Sequence, residues 1–158
     1  MDAEKFTKKS LEVIESCEKL AYEYNNQELT QAHLMYALVT VEDSLIAKLL
    51  TNMGINMDAF TGECEKLVAN RPKVSGGQLF TSPEFSKALI QAEKEAKQMG
   101  DDYISVEHIF LGLLEKADKD IKRVINAYGI TRGKFLEVLA NIRGNRKVES
   151  DNPEDTYD

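Results

Sequence analysis

The chain has 158 residues, 42% of them hydrophobic and 30% charged, with a formal net charge of −7. That is about one domain's worth of chain, apolar enough to bury a core and too apolar to be disordered. The acidic balance argues against binding to nucleic acid or to an anionic membrane, which both need a basic face, and leaves proteins as the expected partners. No run approaches the ~18 apolar residues of a spanning helix, and MDAEKFTKKS has no apolar signal region, so the expected location is the cytoplasm.

In chain order, Phe6, Val13, Ile14, Cys17, Leu20, Ala21 and Tyr24 recur at steps of three and four, with Lys8, Lys9, Glu12, Glu15 and Lys19 between them. This predicts a long amphipathic helix. Thr30 is placed to cap a second helix carrying Leu34, Leu38 and Val39. A third holds Ile46, Leu49, Leu50 and Met53 and stops at Gly54, a residue able to take the left-handed conformation after a helix end. Asn56 then caps a fourth, with Phe60, Cys64, Leu67 and Val68 on its inner face.

The pattern breaks at RPKVSGGQLFTSPE, Arg71 to Glu84, where two of the three prolines and a Gly-Gly pair predict a connector. Ser82-Pro83-Glu84 is a helix start: a capping serine, a proline at the first helical position and an acid near the positive helix end. Its helix carries Phe85, Leu89, Ala92, Ala96 and Met99. From here the chain repeats itself at an offset of 75, pairing Thr30 with Ser105, His33 with His108, Leu38 with Leu113, Asp43 with Asp118, Ile46 with Ile121, Gly54 with Gly129 and Phe60 with Phe135. Caps, stops and core positions coincide, as in a duplicated unit. The expected fold is all-α, two pseudo-symmetric four-helix repeats packed as one domain, at 1–70 and 83–146, joined by a connector at 71–82. No alternating β pattern of useful length is present. The end, VESDNPEDTYD, has five acids and no base; its composition predicts a solvated linker, at 147–158, that does not order itself.

Little in this pattern points to catalysis. Cys17 and Cys64 fall on apolar helix faces and are expected as buried, reduced thiols, and with two histidines at no C-x-x-C or H-x3-H spacing they do not make a zinc site. Gly129-Ile-Thr-Arg-Gly133-Lys134-Phe135 is too short between its glycines for a phosphate loop, and Phe135 stands where a magnesium-binding hydroxyl belongs. His33 and His108 each follow a capping Thr or Ser by three residues, where an imidazole can lie back on the cap as glutamate does in a capping box; the competing reading is a helical histidine phosphotransfer domain. Glu107 is different. Its counterpart at the 75-residue offset is Ala32, so the repeat can be built without an acid there, and the charge either complements its own helix end or has a function.

Taken together, T-x-x-H-L, S-x-E-H-I, LLTNMGIN, RPKVSGG, SPEFSKALIQAEKEAKQMGDDYISVEHI and NPEDTYD resemble the N-terminal Clp repeat domain of ClpB-type disaggregases, over about residues 4–158. The resemblance implies a noncatalytic domain that receives exposed apolar segments of unfolded or aggregated polypeptides in a groove between the repeats. It carries the groove's polar edge to Thr7, Asp101 and Glu107 and part of its apolar wall to Leu89. It further implies that 147–158 leads toward an ATPase domain outside this chain, where ATP and magnesium would act, in a homohexamer working with a DnaK-type chaperone; the isolated domain would be a monomer without a cofactor. A ClpC-type N-domain, which recruits adaptors and recognises phosphoarginine through T-E-H in both repeats, is the alternative relative. Here the first repeat reads Gln31-Ala32-His33.

Overall fold

A computed structural model describes residues 2–157. Eight α-helices are found among them: α1 Lys8–Glu23, α2 Gln31–Thr40, α3 Leu45–Asn52, α4 Met57–Ala69, α5 Pro83–Gln98, α6 Val106–Glu115, α7 Lys119–Ala127 and α8 Arg132–Arg143. At an offset of 75, α1 falls on α5 and α2 on α6 at both ends, while α3 and α4 fall on α7 and α8 to within one residue. The caps read from the sequence at Thr30, Asn56, Ser82 and Ser105 are in place, and the structure adds caps at Thr7, Ser44, Asp118 and Thr131. Thr7, Ser44, Asn56, Ser82, Asp118 and Thr131 each accept a backbone N–H of their own first turn. Gly54 and Gly129 follow their helix ends at φ 85° and 67°.

The core explains which helices look amphipathic. α1 and α5 bury one stripe each, whereas α2 and α6 bury eight of ten residues apiece. These two central helices touch each other, and the rest pack around them. Phe60, Phe110 and Phe135 are fully buried, with Leu34, Leu38, Ile46, Leu49, Leu50, Ile109 and Leu113. Cys17 and Cys64 are free and buried, and burial pushes both thiols up, Cys64 to about 12.

Three details depart from the expectations. Helix α1 begins at Lys8, not at Phe6: Phe6 keeps its side chain in the core, but its backbone forms a parallel bridge to Ile104. The matching pair on the other side is β1, Glu28–Leu29, lying parallel to β2, Phe80–Thr81. Each pairing ties the residues before one long helix (α1 or α5) to those before the central helix of the other half, so Thr7 N–H donates to Ile104 O and Ser82 N–H to Leu29 O. Pieces of two residues are too short to show a two-residue alternation in sequence.

The third departure is the acidic end. Val148, Glu154 and Tyr157 are buried, and residues Pro153–Thr156 form a 3-10 turn, so the segment is folded back on the domain instead of extended. Val148 exchanges backbone and side-chain bonds with the Asp101–Asp102 turn, and Lys8 N–H donates to Asp151 O. Average composition missed this because two apolar side chains anchor the ends of an otherwise acidic stretch.

Candidate functional site

The central helices begin deep in the protein, so their free N–H groups cannot be left to water. Each solves this alike. Thr30 N–H donates to His33 Nδ1 (3.0 Å) and Ser105 N–H to His108 Nδ1 (2.9 Å), completing the reciprocal caps. The Nε2–H of His33 then donates to Asn26 Oδ1 (2.8 Å) and that of His108 to Asp101 Oδ2 (2.7 Å). Asn26 and Asp101 are presented by the same turn, a left-handed residue after the helix end, Asn25 in one case and Gly100 in the other (φ 57° and 71°). With both ring nitrogens bonded and no exposure, neither histidine offers an atom to a phosphodonor. The capping reading therefore accounts for both.

Burial holds His33 down at about 4, with Arg71 adding to it. An imidazole whose folded value lies below its unfolded value of about 6.5 favours the fold above that pH and loses the contribution as pH falls toward 4. The chain should therefore lose up to about 3 kcal/mol between pH 7 and pH 4 from this group alone. Urea unfolding at the two pH values checks it: His33→Gln should show a correspondingly smaller difference.

Where the first half has neutral Asn26, the second has charge. Asp101 Oδ1 accepts from Arg143 Nη2 and from Val148 N–H. Burial works to raise the Asp101 carboxyl, but the bonds from His108, Arg143 and Val148 outweigh it and hold it below the usual carboxylate range. Arg143, only 4% exposed at the end of α8, also reaches Glu107 Oε2 at 3.6 Å, too far for a hydrogen bond. Above them lies Glu154, whose Oε2 accepts from Thr7 Oγ1 (2.7 Å) and from Val106 N–H (3.3 Å), so one carboxyl holds the capping hydroxyl of α1 and a first-turn N–H of α6 together.

Thr7, Asp101 and Glu107 are therefore brought together, but as a buried cluster, 0%, 8% and 0% exposed, with the 148–157 segment over them. Leu89 lies apart from them on α5, in a pocket of about 480 Å³ lined by Thr81, Phe85, Ser86, Leu89, Ile90 and Glu93. It is itself 8% exposed; the apolar surface offered to solvent there comes chiefly from Ile90 (50%). Phe80, 51% exposed, walls a separate pocket of about 210 Å³ with Pro72 and Val74. A lone aromatic beside the Ser82 cap was the available signal for Phe80, and Tyr157 in the acidic stretch was the signal for the folded-back end. Nothing local marks Arg143 as buried.

The segment Gly129–Phe135 serves as the turn from α7 into α8, with Ile130 buried and Thr131 as cap. A helix, not a strand, precedes it, so these residues do not fit the phosphates of ATP.

A model of the Clp repeat (R) N-terminal domain matches residues 5–128. The chain is 40% identical over 164 residues to the chaperone protein ClpB of Nitratidesulfovibrio vulgaris and 39% identical over 163 residues to that of Clostridium tetani; both matches take in 100% of this chain and 19% of the relative. It thus spans about a fifth of their length. Among solved structures, the Hsp104 N-terminal domain from Candida albicans superposes with a TM-score of 0.83 at 20% identity, covering 95% of this chain and 99% of that one. The N-terminal domain of ClpD from Arabidopsis thaliana does so at 0.64 and 19% identity, covering 87% and 96%. At those identities the shared property is the fold.

Proposed function

Because the chain belongs to the Clp repeat (R) N-terminal domain family, we propose that it is a noncatalytic receiver of unfolded or aggregated polypeptides, working for ATP-driven ring domains outside it. The observation that carries this reading is the half-exposed Ile90 in the wall of the apolar Leu89 pocket. Apolar surface gains roughly 25 cal/mol per Å² covered, whatever the sequence that covers it, which suits a receptor for many different unfolded chains. Binding of this kind is weak and promiscuous. Thr7, Asp101 and Glu107 are buried apart from that surface, so they add a preference for guests with Lys or Arg only once residues 148–157 move off them.

In the longer protein the segment 147–158 leads toward the ATPase domains, which bring ATP, magnesium and the homohexamer, with a DnaK-type chaperone as co-worker in the cytoplasm. Adaptor recruitment through phosphoarginine has less support, since Ala32 replaces one of the two acids that reading requires.

The test is a titration with a fluorescently labelled, permanently unfolded polypeptide. Ile90→Glu removes about half of a side chain's apolar contact and adds a charge, so affinity should fall about tenfold or more. Its half-exposed position keeps the effect on folding within about 0.5 kcal/mol, whereas Leu89→Glu would also injure the core. Unchanged affinity in a folded Ile90→Glu variant would show that this surface is not the receiving one.

A further inference from the structure

The buried cluster under the C-terminal segment is poorly paired. Among the described residues, Glu107 Oε1 and Oε2, Glu154 Oε1 and Tyr157 Oη are buried without a hydrogen-bond partner, and all four lie where residues 148–157 meet the body of the domain. Elsewhere among the described residues the buried side-chain polar atoms have partners, so the mismatch is local to this joint. Buried orphans oppose the state that buries them. Two carboxyl groups, Glu107 and Glu154, also face one another there: burial pushes Glu154 up, its bond from Thr7 works against this, and Glu107 pushes it further up. Against these stand the bonds from Thr7, Val106 and Lys8 and the burial of Val148 and Tyr157. A segment held this way is docked but releasable.

We propose that residues 148–157 are a strap that closes the Glu107 cluster, and that a guest presenting Lys or Arg beside an apolar residue binds there by displacing it. The inference rests on the reading of the domain as a receiver of unfolded chains and adds its regulation. With the strap in place Glu107 has no exposure, so no guest reaches it. Once the strap is lifted, Glu107 presents two carboxyl oxygens without a hydrogen bond, since Arg143 stays 3.6 Å from Oε2 and bonds Asp101 instead, and Thr7 Oγ1 and the Val106 N–H lose the acceptor that Glu154 supplied. A guest's cationic group satisfies the first, and its backbone carbonyls satisfy the others. Guest binding and strap docking then compete, and the apparent affinity is lowered by the fraction of molecules in which the strap is closed.

Two substitutions in the whole chain should move the competition in opposite directions. In Glu154→Gln the amide still accepts from Thr7 and Val106 and can donate to Glu107, so the strap tightens. Tyr157→Ala removes a buried anchor with an unsatisfied hydroxyl, so it loosens. The probe is a labelled peptide of alternating leucine and arginine, with anisotropy reporting affinity and amide hydrogen exchange reporting the strap through the N–H groups of Asp102 and Val148, which bond across the joint. The expected result is peptide-induced loss of protection at both amides, binding several-fold weaker in Glu154→Gln and several-fold tighter in Tyr157→Ala. Peptide binding that leaves both amides protected, or the same affinity in all three proteins, overturns the strap while leaving the receiver function standing. No binding by any of the three overturns the function itself, and the strap with it.

Discussion

Arg143→Met is expected to lower the unfolding free energy by about 3–5 kcal/mol, read as a drop of about 10 °C or more in melting temperature for a chain of this size. Arg143 is almost fully buried between two acids, bonded to Asp101 and 3.6 Å from Glu107. Methionine fills similar volume but supplies no charge, so both carboxyl groups lose their only close cation among the described residues. The cost is the solvation each acid gave up on burial, and it exceeds the worth of an exposed pair such as Lys19–Glu15, typically below 1 kcal/mol. Asp101→Asn, which keeps a partner for His108, should cost less, and the double variant should recover part of the loss. Thermal and urea unfolding of the three proteins check this; a loss below about 1 kcal/mol in Arg143→Met would mean the cluster is solvated and not a buried ionic centre.

Gly112→Ala should destabilise by about 3 kcal/mol for a different reason. A Cβ at Gly112 would sit 2.3 Å from Ala88 O and 3.0 Å from Ala92 N, both backbone atoms of α5, so no side chain can turn aside and the helix itself must move. Ala88 and Ala92 are fully buried, which leaves α5 no slack. The same substitution at Gly62 or Gly133, helical positions with nothing within 4 Å, should instead stabilise by up to about 1 kcal/mol through helix propensity. Opposite signs from one chemical change isolate the packing effect. Equal shifts at all three positions would contradict it.

Much of the fold is legible in the chain itself, because the helix ends carry their own chemistry. Thr30, Asn56 and Ser82 announce caps, Gly54 and Gly129 announce stops, and the 75-residue offset repeats both. The histidines at the third position of α2 and α6 were identifiable as cap partners for the same reason. What could not be read is whatever depends on contacts between distant segments. The Phe6–Ile104 and β1–β2 pairings are too short to leave a pattern. Arg143 sits near a helix end, where a basic residue usually means nothing more than a favourable dipole contact; only the fold brings Asp101 and Glu107 to it. Glu107 itself stood out by comparison with Ala32, yet its burial under Glu154 and Tyr157 follows from a segment whose composition predicts no order.

For the candidate surface the division is similar. Leu89 follows from the helix pattern as an inward residue, and it is one. Its exposed neighbour Ile90 breaks that pattern, which leaves it apolar area to offer beside Leu89.

The most direct measurement is a titration of the domain with one polypeptide prepared in two forms, permanently unfolded and native, with anisotropy as the readout. A receiver of exposed apolar segments binds the unfolded form saturably and weakly, leaves the native form alone, and loses that binding in Ile90→Glu. Affinity for the native form equal to that for the unfolded one, or none for either, would contradict it.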